Sequence, residues 1–294
     1  MFFSKNESAY VRTDLACKRR RADTSLAGVS YTEEEKNGIL KSTLRVESEE
    51  GEKSIGKPKG LYITLSFKEL WQQSEEELHS ATEALSSVLL EMIRKDKKPS
   101  LLIAGLGNRF LTVDAIGPTV LARIVATAHL AELEPELFES LSCHKITAVT
   151  PGVLSQTGIE SAALIMGAVK EASPDCVIVI DALAARDCSR LATTIQVSDT
   201  GILPGAGVGN PRTAIDRETL GIPVIVIGVP MVVDSSTLLY DALARAGMEE
   251  IPPALTEVLE NGRGYFVSPR ECDAVTENVS RIIADAINKT FGIS

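Results

Sequence analysis

Histidine is scarce. The chain has 3 in 294 residues, His79, His129 and His144, and none stands in an H-E-x-x-H or similar ligand spacing. All three read as surface or satisfied core residues. The marks of a serine or cysteine nucleophile are also missing: there is no G-x-S-x-G elbow, and Cys188 has no evident histidine partner. The five cysteines, Cys17, Cys143, Cys176, Cys188 and Cys272, are odd in number, scattered and without a C-x-x-C pair. That pattern speaks against a disulfide framework and a cysteine zinc site, and fits reduced thiols in a cytosol.

Long apolar runs are lacking too. "VIVI" before Asp181 and "VIVIGVPMVV" at 224 to 233 fall well short of the ~20 residues that span a bilayer. The N-terminal "MFFSKNESAYVRTDLACKRRR" has no uninterrupted apolar stretch of the kind a secretory signal needs, so a cytoplasmic protein without a membrane partner is expected. Positive charge is in deficit, 30 bases against 40 acids for a net charge of -10, which argues against a general nucleic-acid binder.

What is present is an ordinary globular composition, 44% hydrophobic and 24% charged, enough for a packed core in one main domain with an N-terminal extension. Residues up to 58 are strongly charged, with "KRRR", "TEEEK" and "ESEEGEK", and contain one convincing strand, "ILKSTLRV". From "GLYITLSF" at 60 to 67 onward, apolar strands alternate with amphipathic helices, so an α/β domain is expected over 59–294. "SEEELHSATEALSSVLLEMIRKDKK" opens with a capping box, Ser74 and Glu77, and carries Leu78, Ala81, Leu85, Val88, Leu89 and Met92 on one face. Strands follow at 101–106 and in "KITAVTP", "DCVIVIDALAA", "TTIQVSD" and "IPVIVIGVP". The spacing predicts a helix from near Pro118 to about His129 and one opened by a Thr157–Glu160 capping box. It predicts another from Asp234 to Gly247, and a C-terminal helix capped by Ser268 with Pro269 in its first turn. This alternation implies a doubly wound, mainly parallel sheet with helices on both faces.

The stretch "LLIAGLGNRFLTVDAIGP" at 101 to 118 begins like a phosphate cradle with Gly105 and Gly107. It lacks the third glycine, Phe110 standing in its place, and Asp114 would repel a pyrophosphate, so nucleotide binding fits poorly. Asp114 can be a helix cap or an acid free for other work, and spacing leaves both open. Asp181 follows the wholly apolar "CVIVI" and reads as a buried acid at a strand end. In an open parallel sheet the loops after the strands gather at one edge, where Asp114 and Asp181 can meet and share a proton. Such a pair supplies an acid and a base at one pH, enough for peptide hydrolysis without a cofactor. An oxygen-only metal site from Asp114, Asp181 and Glu160 or Asp234 stays open. "SDTGILPGAGVGNPR" holds Gly205, Gly207 and Gly209 in a loop that can be simply mobile or can lie beside an extended substrate. Arg186 is near enough in sequence to pair with Asp181.

With "YVRTDLA", "GLGNRFLTVDAIGP", "TPGVLSQTGIE", "IDALAARDCSRLATTIQVSDTGILPGAGVGN" and "GIPVIVIGVPMVVDSSTL" in that order, the chain resembles the germination (spore) proteases over most of its length. The resemblance implies an endopeptidase, made as a zymogen, that degrades small acid-soluble spore proteins during germination. It implies cutting after Glu or Asp, before a bulky apolar residue followed by Ala, and a homotetramer in the spore core. It places the two essential aspartates on Asp114 and Asp181, the pair whose chemistry needs no cofactor, and no residue is assigned to a metal. "TDLA" has the form of a cleavage site, so residues 1–14 become a propeptide cut between Asp14 and Leu15, leaving 15–58 as a charged extension. The implied fold is similar to that of hydrogenase maturation endopeptidases, which hold a metal with a histidine that has no counterpart among the three here. Two departures, a shorter segment from about 241 to 263 and Val11 where an acid is preferred, bear on oligomer contacts and self-processing. A metal-dependent processing endopeptidase and a noncatalytic nucleotide-binding module are the alternative readings.

Overall fold

The computed structural model describes residues 27–93, 98–209, 212–248, 254–255, 257–258 and 264–292. The chain runs β1 (Val29–Lys36), β2 (Ile39–Val46), α1 (Glu49–Ile55), β3 (Gly60–Ser66), α2 (Glu75–Met92), β4 (Leu101–Gly105), α3 (Ile116–Leu121), α4 (Ala128–Leu133) and α5 (Pro135–Leu141). It continues through β5 (Ile146–Val149), α6 (Leu154–Thr157), α7 (Ser161–Ala172), β6 (Cys176–Ala185), β7 (Thr194–Ser198) and α8 (Arg217–Leu220). The last elements are β8 (Val224–Asp234), α9 (Ser235–Arg245), β9 (Phe266–Val267) and α10 (Cys272–Phe291).

The strands form one sheet in the order β1-β2-β3-β7-β8-β6-β4-β5, with β9 added to β8. The strands β5, β4, β6 and β8 pair in parallel. The other pairings are antiparallel. The expected α/β class holds, and its parallel half is the half that gathers strand ends for a site. The sheet reaches back to Val29, ahead of Gly60, because "ILKSTLRV" pairs with β3 on one side and with the glutamate-rich β1 on the other. Among the described residues β1 is the outermost strand on its side, and it is exposed along nearly its whole length, which explains why its sequence, VSYTEEEK, does not alternate.

Central strands read as unbroken apolar runs because both their faces are covered. In β6, Ile178 and Ile180 enter one cluster with Leu85, Leu89, Ile116, Ile283 and Ile287 from α2, α3 and α10. Val177 and Val179 enter the other cluster with Ala162 and Ile165 of α7. Each such side chain contributes about 1.5–3 kcal/mol when fully buried. The capping box of α2 forms as expected: the Glu77 amide donates to Ser74 Oγ at 3.3 Å and the Ser74 amide to Glu77 Oε2 at 2.7 Å.

Three helix boundaries differ from the sequence expectation. α3 stops at Leu121 because Thr127 is pulled into the end of β5, its amide donating to the Ile146 carbonyl at 3.0 Å. Its hydroxyl accepts the Ile146 amide at 2.9 Å. The Thr157–Glu160 box does not form; Glu160 precedes α7 but gives it no side-chain cap, its carboxylate being taken by Thr213. α10 starts at Cys272 rather than beside Pro269, since Phe266 and Val267 are held in β9.

Candidate active site

Strand β4 ends at Gly105, paired with Ile180 of β6, and the Leu106 amide extends the ladder by one bond to the Ile180 carbonyl at 2.8 Å. The chain must then leave the sheet and return into α3 at once. It can do so because two glycines cross: a Cβ on Gly105 would fall 2.4 Å from the Gly117 carbonyl oxygen, and one on Gly117 would fall 2.2 Å from that of Leu106. Backbone packs on backbone here, with no room for a side chain.

The loop between them is tied on itself. The Leu111 amide donates to the Asn108 carbonyl at 3.0 Å, and the Asp114 amide to the Leu111 carbonyl at 2.8 Å. Gly107, at φ +109°, brings its backbone so near that a Cβ would lie 2.0 Å from the Asp114 carbonyl oxygen. The Asn108 amide then donates to Asp114 Oδ2 at 2.9 Å. Asp114 closes a short 3-10 turn, Thr112–Asp114, and caps no helix; α3 starts from Ala115 without a side-chain cap. The glycine turn therefore presents a carboxylate where a nucleotide fold would seat a phosphate.

Asp181 is not the last residue of its strand, as β6 runs on beside β8 to Ala185 with an irregularity between Leu183 and Ala184. It does stand where β4 has ended, one residue beyond the Ile180–Gly105 pair, so its position at the carboxyl edge is kept. Its side chain is 7% exposed, and Oδ1 accepts the Ala182 amide at 3.0 Å. The 3-10 turn bearing Asp114 packs against both β6 and β8, bringing the two acids together. Burial pushes the Asp181 carboxyl well above the ordinary range, and the charge of Asp114 raises it further, while the Ala182 amide opposes. Asp114 is also raised, by burial first, with the Asn108 amide pulling the other way.

Two contacts tie the loops at this edge together, and neither is marked by any pattern in the sequence. Gln156 of α6 donates through Nε2 to Asn108 Oδ1 at 2.7 Å, so the loop after β5 is fastened to the loop that holds Asp114. Glu160 Oε2 accepts the Thr213 hydroxyl at 2.6 Å and its amide at 3.2 Å, linking α7 to the end of the glycine-rich segment. In that segment Gly205 and Gly209, both left-handed, flank a 3-10 turn over Ala206–Val208 that includes Gly207 and packs against β6. The "GN" of the turn and the "Q" of "LSQTG" were visible, but a polar loop residue gives no periodicity by which to pair it.

Arg186 lies half-buried just past the end of β6, whereas the groups acting on Asp181 are its burial, Asp114 and the Ala182 amide. Asp14 and Leu15 lie outside the described residues. His144 Nδ1 sits 3.0 Å from the Pro99 carbonyl with its ring edge-on to Phe291, and His79 is a surface residue beside Glu83. The Cys188 thiol is pushed up to about 12, by burial first and then by Asp241, which keeps it protonated at neutral pH. Among the described residues no group of three or more His, Cys, Asp or Glu side chains is placed to hold a metal ion. No described helix is long and apolar enough to cross a membrane.

Two carboxyls gathered where parallel strands end, backed by a tied glycine loop, define an enzyme-like site on an α/β fold. The chain belongs to the germination protease family, whose model matches residues 7–246, and is an endopeptidase of spore germination. It is 38% identical over 302 residues to the germination protease of Caldanaerobacter subterraneus subsp. tengcongensis, covering 95% of this chain and 93% of that one. It is 38% identical over 307 residues to that of Clostridium perfringens strain ATCC 13124, covering 95% and 94%. Among solved structures, the [NiFe] hydrogenase maturation protease HycI from Thermococcus kodakarensis resembles it at a TM-score of 0.36 and 17% identity, covering 68% of this chain and 99% of that one.

Proposed function

We propose that this endopeptidase is made as a zymogen and starts the breakdown of small acid-soluble spore proteins in the spore core. In this reading it cuts after Glu or Asp, before a bulky apolar residue followed by Ala, and works as a homotetramer. Residues 1–14 are the propeptide and the bond Asp14–Leu15 is its cleavage site. The observation that carries the chemical part is the meeting of Asp114 and Asp181 at the carboxyl edge, each in surroundings that favour its proton.

The two acids then differ in role. Asp181, the more deeply buried, keeps its proton and donates a hydrogen bond to the carbonyl oxygen of the bond to be cut. Asp114, less buried and steadied by the Asn108 amide, is the ionised partner. It takes a proton from water as the water oxygen bonds to the carbonyl carbon, while the Asp181 proton passes to the carbonyl oxygen. When the C–N bond breaks, Asp114 gives its proton to the leaving nitrogen and a hydroxyl proton of the diol returns to Asp181. Gly205, Gly207 and Gly209 border the substrate path, and Glu160 holds that border through Thr213.

The test is direct. The full chain, the Asp114→Asn variant and the Asp181→Asn variant are compared on a peptide containing Glu-Phe-Ala, and their N-termini are sequenced after activation. The unaltered chain is expected to begin at Leu15 and to cut between Glu and Phe. Full activity in either Asn variant removes the assigned roles, and activity lost on chelation but restored by a metal ion favours the metal-dependent alternative.

A further inference from the structure

Three large apolar side chains stand open around the Asp114 loop: Phe110 is 79% exposed, Leu111 52% and Ile159 47%. A lone exposed apolar residue needs no explanation, but these come from two loops that are fastened to each other. Asn108 is the fastening. Its Oδ1 accepts the Phe110 amide at 3.0 Å and Gln156 Nε2 at 2.7 Å, while its own amide holds Asp114. Phe110 is two residues from Asn108, and Ile159 three residues from Gln156, so the loops that carry them are joined by the Gln156–Asn108 bond. The Phe110 backbone is thus held by the residue that positions the carboxylate, and its ring is largely left to solvent, with the Arg109 guanidinium over it at 5.2 Å. The backbone beneath the ring is ordered before contact, so that only the side chain itself remains to be fixed at binding.

We propose that Phe110, with Leu111 and Ile159, receives an apolar side chain of the polypeptide next to the bond being cut, and that Phe110 sets the preference for a large one. This rests on the proteolytic reading above and adds the residues that read the substrate. The occupant is substrate rather than a second copy of the chain, because the apolar rim shares its anchor with the acid. A residue that meets Phe110 is brought to Asp114 by the same few bonds.

The full chain, allowed to process itself, is compared with Phe110→Ala and Phe110→Leu on two peptides that differ only in having Phe or Ala after the cut. Phe110→Ala is expected to lower kcat/KM on the Phe peptide by roughly 10-fold or more and on the Ala peptide by much less, with Phe110→Leu recovering most of the loss. An equal loss on both peptides, or none on either, overturns the assignment. So does a change in the size of the assembly in Phe110→Ala, which identifies the face as a contact between copies. If the unaltered chain cuts neither peptide, the proteolytic reading itself fails and this assignment falls with it.

Discussion

Replacing Asp181 by Asn is expected to separate stability from activity. In the folded chain the Asp181 carboxyl is buried, faces Asp114 and has its proton affinity raised above the ordinary value for Asp of about 3.9. A group with a raised folded-state pKa gives its full contribution to stability below the unfolded value. That contribution fades as pH climbs through the folded one. Every tenfold increase in proton affinity therefore represents about 1.4 kcal/mol of folding stability missing above both values. Asn keeps the shape and can still accept the Ala182 amide, but has no charge to desolvate. The variant is thus expected to equal the unaltered chain near pH 3, to pull ahead above about pH 4, and to hold a constant advantage once Asp181 would have ionised. Over the same range its peptide cleavage is expected to fall by roughly 10²–10⁴-fold. Urea unfolding at several pH values, paired with the cleavage assay, measures both. A variant that is less stable than the unaltered chain at neutral pH, or that cuts at full rate, refutes the reasoning.

Gly107→Ala is expected to cost about 1–3 kcal/mol from the positive φ and to displace Asp114, so a thermal melt should drop together with activity. Gly117→Ala, which sets a Cβ against the Leu106 backbone, is expected to destabilise the chain without touching either acid, again read by the melt. Gln156→Ala removes an exposed hydrogen bond to Asn108 and is expected to cost only about 0.5–1.5 kcal/mol, with a measurable change in the pH profile of kcat because Asp114 is held less firmly. The pH–rate curve of the unaltered enzyme is expected to be bell-shaped, both limbs belonging to the pair, with one limb lost in each Asn variant.

The strands of the parallel half were legible because burial on both faces leaves uninterrupted Val and Ile, Asp181 because it follows such a run, and Asp114 because it comes out of the glycine turn after another. What escaped has common causes. The strand β1 is charged and solvent-facing, so no apolar pattern marks it. The end of α3 is decided by Thr127 bonding to β5, a partner distant in sequence. Glu160 satisfies the local rule for a capping box but is drawn to Thr213, 53 positions away. Asn108 and Gln156 are polar loop residues whose pairing exists only once β4 and β5 lie side by side.

The outer strand β1 has a further consequence. Glu33, Glu34 and Glu35 follow one another on a strand whose outer side pairs with no other strand among the described residues. Two such borders brought together would set like charges against each other, so stacking into fibrils is discouraged at high protein concentration. Exchanging those three glutamates for threonine would remove this electrostatic fence and turn a self-limiting ribbon into a template for aggregation.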